Sequence, residues 1–328
     1  MSARTSRLPR GLRAALAAAA VGFAGCTDYD ITTTIDRDGG GRRSEVLRVS
    51  SGENEQSIAA DDYVYLLDLG EESGWSHRTE ADDDTKHVFE RTHRIRDAKG
   101  WAGLTGSVRL HGTTPAHASE RVGRVTLGDV GFSNRVEVGR TRSSGGDTVT
   151  YRESFVWKNG PDPIVEYFAA SVTDAIAASY ARISAAQRGE LEGLTRAGLW
   201  SVIDAGLLGP GSEADETVLL ERFVSRTADL AAAAIRPAHP EVRPEDLAAI
   251  LRREVDDEER LGAFLKTKVP GLDLAGTVGI ELRLILPGRV VDSNAASVKG
   301  DTLVWEIDPA QALAAPIEAF ATSVVEGR

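Results

Sequence analysis

The chain is predicted to have an α+β fold: an antiparallel sheet built from N-terminal and C-terminal strands, with a central multi-helix segment packed on it or inserted into it. Two changes of hydrophobic period, which divide the chain into three regions, support this prediction. Residues 26–160 read as mostly β, residues 161–270 place apolar residues three and four apart, and residues 271–328 return to alternation. Two separate domains are the alternative, although no Ser- or Gly-rich linker marks a boundary.

The mostly β region opens with β-branched alternation on both sides of a turn, Asp36–Gly41, and this arrangement predicts a hairpin. Further strands are predicted at 86–96, 107–112, 124–140 and 147–157. In the last of these, the apolar members of one alternating set are Val149, Tyr151, Phe155 and Trp157. Glu153 is the exception in that set, and the pattern still predicts a half-buried strand.

The helical region is predicted to begin at Asp162, a suitable N-cap, followed by Pro163 at the first helical position. One apolar face of a long helix then comprises Ile164, Phe168, Val172, Ile176, Tyr180 and Ile183. More helices are predicted at about 189–208, 214–235, 244–255 and 257–268.

The C-terminal β region is expected to complete the sheet. Leu282, Leu284 and Leu286 alternate with other residues before a Pro287-Gly288 turn. A second strand is predicted over Thr302–Ile307, and a last one within 316–327.

Residues 1–25 have the composition of a secretory signal peptide. Four arginines and no acid precede a run of about a dozen apolar residues, too short for a permanent membrane span. The run ends in Phe23-Ala24-Gly25-Cys26, which resembles a bacterial lipobox with Phe where Leu is usual. The resemblance implies cleavage between Gly25 and Cys26 and lipid attachment at Cys26. An ordinary signal peptide with a cysteine nearby by chance is the alternative.

Cys26 is the only cysteine among 328 residues, so neither an intramolecular disulfide nor a Cys-rich zinc site is possible. The net charge is −12, and removing the four positive charges of residues 1–25 leaves −16. Such a charge repels phosphate backbones, which argues against nucleic-acid binding and against flat docking on anionic lipid. The predicted location is the bacterial cell envelope, on the extracytoplasmic side of a membrane and held there through Cys26.

The stretch Leu284–Asp308 resembles a pattern in envelope lipoproteins of unknown function, including mycobacterial LppM-like ones. The matching positions are Pro287, Gly288, Asn294, Gly300 and Trp305. The resemblance implies an envelope lipoprotein whose sheet and helices cradle an apolar ligand, and it brings no catalytic residue.

Polar clusters offer few candidates for chemistry, and no nucleophile elbow, metalloprotease helix, Walker loop or dinucleotide-binding turn occurs. The richest cluster comprises His77, Asp82, Asp83, Asp84, His87 and His93. His87 and His93 lie six apart on a predicted strand, about 20 Å from each other, so they cannot share a metal. A solvated acidic turn explains the aspartates, and no metal site or cofactor is predicted.

Two other acidic stretches have simpler explanations than catalysis or metal binding. Asp36–Gly41 begins like a calcium loop but lacks the later ligands, so a hairpin turn is preferred. Glu254–Gly262 contains clustered carboxylates that are typical of a helix start. The five tryptophans, Trp75, Trp101, Trp157, Trp200 and Trp305, are spread over the chain and are predicted to be core residues.

The functional expectation is a non-enzymatic envelope lipoprotein that binds an apolar ligand or an envelope protein, or that has an assembly role. A lipid-anchored hydrolase without a recognisable motif is the alternative, with the acidic clusters as its candidates.

Overall fold

The computed structural model describes residues 27–50, 60–80, 83–143, 146–208 and 213–326. Two sheets and a group of helices make up the described fold. The larger sheet, sheet A, has the order β12-β13-β10-β1-β2-β4-β3. Its strands, in that order, are Ser297–Lys299, Thr302–Ile307, Val278–Ile285, Thr27–Ile35, Gly41–Ser50, Asp83–Ile95 and Ser76–Glu80.

Sheet B has the order β11-β14-β9-β8-β5. Its strands, in that order, are Arg289–Ser293, Ile317–Val325, Gly146–Lys158, Gly131–Ser143 and Arg109–His111. A short hairpin is formed by β6, Arg121–Val122, and β7, Val125–Thr126. Both sheets therefore combine strands from the two ends of the chain, and the predicted α+β class is confirmed.

Sheet A is mixed rather than purely antiparallel, because β1 runs parallel to β10. The β1–β2 pair is the predicted hairpin, and its turn is closed by a bond from the Asp36 N–H to the Gly40 carbonyl. Turn geometry fixes the direction of such neighbours. Strands β1 and β10 are separated by most of the chain, so no hairpin constrains their relative direction.

The inner faces of the two sheets pack against each other and exclude water. Ile31 and Leu47 of sheet A and Val149 and Phe155 of sheet B are fully buried members of one apolar cluster. Four of the five tryptophans are buried and Trp200 is half-buried, as predicted for core residues.

The central helices pack mainly on one another. They are α2 (Asp162–Ser179), α3 (Ala185–Asp204), α4 (Glu213–Ile235), α5 (Pro244–Val255), α6 (Glu258–Lys268) and α7 (Pro270–Ala275). A short helix, α1 (Ala60–Leu66), precedes them between β2 and β3 and contacts β5. Helices α2, α3, α4 and α5 form a bundle through adjacent pairs and through the contact between α2 and α5. None of the described helices combines the length and apolar character needed to cross a bilayer.

The first predicted helix ends earlier than its apolar spacing indicates, and the next one begins at Ala185 and not at about 189. Helix α2 ends at Ser179, since Tyr180 is extended and Arg182 has a positive φ of 69°. Helix α3 then begins with a capping box, in which the Ser184 hydroxyl accepts from the Gln187 N–H and the Gln187 side chain accepts from the Ser184 N–H. The apolar spacing continued through the break, so the pattern alone missed it.

Candidate functional site

A cleft of about 660 Å³ lies on the outer face of sheet A, over the first residues of β1 and their neighbours on β10 and β13. The outer face is the one that carries Asp28 and Asp30, which alternate with buried Thr27, Tyr29 and Ile31. The acidic side chains that line the cleft are Asp28, Asp30, Glu281, Glu306 and Asp308. This cleft is the candidate functional site.

Strand register brings these carboxylates together from distant parts of the sequence. Asp30 on β1 lies opposite Glu281 on β10, which in turn lies opposite Glu306 on β13. Neighbouring strands are about 4.8 Å apart, so one ligand can reach carboxylates from three strands. No local motif links these positions, and sequence reasoning missed the site for that reason.

Gly279 forms part of the cleft floor. It lies opposite Asp28 in the register, and a Cβ added to it would meet no atom within 4 Å. The missing side chain therefore leaves open space beside the carboxylates. A larger residue at this position would fill the cleft without disturbing a packed neighbour.

Two arginines neutralise part of the negative charge. Arg48 donates to Asp30 over 2.5 Å, and Arg283 lies 3.2 Å from Asp30 and also pairs with Glu281. Among the residues that the structure describes, Asp28, Glu306 and Asp308 have no arginine or lysine partner within 4.0 Å. The cleft thus keeps an excess of carboxylates. Ionised carboxylates only accept hydrogen bonds, so this lining suits a ligand with positive charge or several N–H or O–H donors.

A second polar cluster lies on the inner face of sheet A and connects it to sheet B. Arg43 on β2 donates through Nε to Glu45 Oε1 over 2.6 Å. Its two terminal nitrogens donate to the carboxylate of Glu153 on β9, over 3.0 and 2.9 Å. All three side chains are fully buried.

The remaining polar atoms of this cluster are also partnered. Arg91 donates to Glu45, the Tyr29 hydroxyl donates to Glu45 over 3.3 Å, and Tyr151 and Asn134 donate to Glu153. Burial by itself would raise the pKa of Glu45, but Arg43 and Arg91 bring it below its ordinary value. Two arginines balance the charge of two glutamates inside the sandwich. Because Arg43 of sheet A donates to Glu153 of sheet B, the cluster is a structural connection between the sheets.

The predicted histidine cluster is partly assembled. His87 and His93 lie six residues apart on one strand, β4, in agreement with the prediction that they are too far apart to share a metal. His93 Nε2 is buried without a hydrogen-bond partner in the described structure. His77, by contrast, brings Nε2 to 3.1 Å from Nδ1 of His87, because β3 pairs with β4. Strand β3 was not predicted, since its residues are polar on both faces and give no alternation. Asp82 lies outside the described residues.

The other sequence candidates have structural roles or lie outside the described residues. Asp257 caps α6 by accepting from the Arg260 N–H, and Glu254 is buried and accepts from Ser171 over 2.6 Å. Gly25 and Cys26 lie outside the described residues, which begin with Thr27 at the start of β1. Among the described residues, no group of three or more His, Cys, Asp or Glu side chains can hold a metal ion.

Asp273 on α7 is buried, and neither of its carboxylate oxygens has a hydrogen-bond partner in the described structure. Burial raises the pKa of Asp273 to about 6, against the opposing charge of Lys266. In the native protein Asp273 therefore keeps its proton up to a pH of about 6, whereas in the unfolded chain it loses the proton near its ordinary pKa of 3.8. This group's contribution to stability is present below the unfolded value of 3.8 and is lost as the pH rises to about 6.

We expect Asp273→Asn to remove this dependence. Relative to the variant, the wild type should lose about 1–3 kcal/mol of unfolding free energy between pH 4 and pH 7. Urea unfolding across that range measures the difference. Asp229→Asn, at an exposed position on α4, is the matched control and should follow the wild type. A constant difference between Asp273→Asn and wild type at every pH would contradict the prediction.

No protein-family model matches the sequence, and no curated protein matches it. Among solved structures, the NMR structure of the folded domain of Mycobacterium tuberculosis LppM matches 93% of this chain and 94% of its own length. The TM-score is 0.30 and the sequence identity is 8%. This likeness is too weak to assign a fold or a function.

Proposed function

We propose that the protein is an envelope lipoprotein, held at a membrane by lipid on Cys26, whose folded part is a binding module. Three features of residues 1–26 support the anchor: the basic start, the short apolar run and Phe23-Ala24-Gly25-Cys26. The observation that carries the proposal is the position of β1. It begins at Thr27, the residue after Cys26, and Thr27 is already buried and paired on both sides.

This connection has a geometric consequence for a lipidated chain. Thr27 lies opposite Val49 on β2 and Val278 on β10, and Val49 lies opposite His87 on β4. We call this row the Thr27 end of sheet A. With no linker between the lipidated residue and the strand, the Thr27 end would lie next to the membrane surface. The cleft starts one residue further on, at Asp28.

The binding surface in this proposal is the carboxylate-lined cleft. Its lining favours a polar, positively charged ligand or peptide over the apolar ligand that the sequence resemblance implies. The interior between the sheets is filled by buried side chains and by the Arg43 cluster.

The test of the anchor is Cys26→Ser, expressed in a bacterial host that processes lipoproteins. We expect the variant to lose incorporation of a labelled fatty acid and to leave the membrane fraction. Thr27→Ser keeps the cysteine and should remain labelled and membrane-bound. If Cys26→Ser stays labelled in the membrane fraction, the proposed anchor is wrong.

The same preparation tests the cleft. We expect cross-linking of the wild type in intact membranes to capture a ligand or partner that Gly279→Leu no longer captures, because the leucine fills the floor. Gly262→Leu is the matched control, since Gly262 on α6 also has open space around it and lies outside the cleft. Equal capture by wild type and Gly279→Leu would exclude the cleft as the binding surface.

A further inference from the structure

His77 and His87 form an accessible pair on neighbouring strands of sheet A. In the β3–β4 register, Thr79 lies opposite His87 and Phe89 lies opposite His77, so the histidines are diagonal neighbours. Diagonal side chains on one face lie within reach of each other when they are long. His77 is exposed and His87 half-buried, so solvent and ions can reach both rings.

Phe89 supports the orientation of the His77 ring. The His77 ring stacks on Phe89, with centroids 4.7 Å apart and planes 25° from parallel. Phe89 is itself buried, with 8% of its surface exposed. The imidazole of His77 is therefore held against a packed ring, on a paired strand, and it does not need to be ordered when a ligand arrives.

The separation of the two nitrogens matches one edge of a metal coordination polyhedron. Nε2 of His77 lies 3.1 Å from Nδ1 of His87. With zinc–nitrogen bonds of about 2.0–2.1 Å, two ligands are about 2.9 Å apart at a right angle and about 3.4 Å apart at the tetrahedral angle. The observed distance lies between these two values.

We propose that His77 and His87 form a two-histidine site for a divalent transition-metal ion such as Zn²⁺, with water in the remaining positions. Neutral imidazole is a preferred ligand for zinc, copper and nickel, whereas magnesium and calcium prefer oxygen. In the unliganded state the two rings share a hydrogen bond. On metal binding the donor ring takes the tautomer with its proton on the other ring nitrogen, so both facing nitrogens bind the ion through their lone pairs. The ion would also tie the edge strand β3 to β4, so its binding stabilises this edge of sheet A.

Calorimetric titration of the full chain with Zn²⁺ tests the site. We expect one binding event in the wild type, weakened at least tenfold in His77→Phe and in His87→Phe, and no heat with Mg²⁺. His77→Phe keeps an aromatic ring to stack on Phe89, so the comparison isolates the nitrogen. His117→Phe is the control, because His117 is paired with Glu120 away from β3 and should leave zinc affinity unchanged.

A measurement on the wild type alone makes the test independent of how the variants fold. In NMR spectra of the imidazole groups, Zn²⁺ should shift the His77 and His87 resonances and leave those of His117 and His239 in place. The proposal is overturned if zinc does not bind, if it binds His77→Phe as tightly as wild type, or if other histidines respond instead.

Discussion

Arg43→Met should destabilise the protein by about 3–5 kcal/mol, because it leaves buried carboxylates without their main positive partner. Glu153 would keep only the neutral donors Tyr151 and Asn134, and Glu45 would keep Arg91 and Tyr29. Methionine matches the length of the arginine stem, so the loss is mainly electrostatic and not a large cavity. Urea unfolding at pH 7 measures the change.

An exposed ion pair of similar geometry is the control for this substitution. Arg252 on α5 donates twice to Glu221 on α4, over 3.0 and 2.8 Å, but both side chains are more than two-fifths exposed. Exposed pairs contribute about 0–1 kcal/mol, so Arg252→Met should have a small effect. If the two variants lose equal stability, the Arg43 cluster is not an important connection between the sheets.

The pH dependence of the Arg43→Met effect has a definite sign. The ionised form of Glu45 is favoured in the native wild type, so its contribution is present above the ordinary pKa of 4.5 and is lost as the pH falls below it. In the variant, Glu45 loses one of the two arginines that lower its pKa, so it takes up a proton in the folded state more readily than in the wild type. The stability deficit of Arg43→Met should therefore shrink on acidification, whereas a deficit caused by lost packing would stay constant.

Part of the Arg43 cluster could be predicted from the sequence. Glu153 was the one charged residue among the alternate, inward positions 149–157 of β9, and Arg43 and Glu45 share the inward set of β2 with Leu47 and Val49. A charge at a position where alternation predicts burial indicates a buried polar contact. The partner could not be predicted, because Arg43 and Glu153 are 110 residues apart and meet only when the two sheets stack.

Local sequence patterns also explain which strands and helices could be predicted and which could not. Strands with apolar alternation, such as β9 and β10, and helix α5 were predicted well, whereas apolar spacing that continues past Ser179 hid the end of α2. The edge strands β3 and β12 were missed because each lacks a continuous apolar face. The cleft depends on the parallel pairing of β1 with β10, which aligns Asp30 with Glu281, and no local pattern encodes that register.

A backbone contact joins the helices to sheet B, and it depends on a glycine. The Gly271 N–H at the start of α7 donates to the Gly112 carbonyl over 3.0 Å, just after β5. Nearby, the Thr113 hydroxyl donates to the Lys268 carbonyl over 2.8 Å, and Lys268 Nζ pairs with Glu120 over 2.7 Å. The close approach of two backbones at Gly271 leaves no room for a side chain.

Gly271→Ala should destabilise the protein by about 3 kcal/mol, because the added Cβ would lie 1.8 Å from the His111 carbonyl oxygen. Neither backbone can move away without breaking the bonds that join α7 to β5. Gly193→Ala is the matched control: Gly193 is in the middle of α3 with nothing within 4 Å of an added Cβ. There alanine should stabilise the helix by about 0.5–1 kcal/mol. Thermal unfolding of both variants measures the contrast. A Gly271→Ala variant as stable as wild type would mean that the helices do not rest on sheet B at this point.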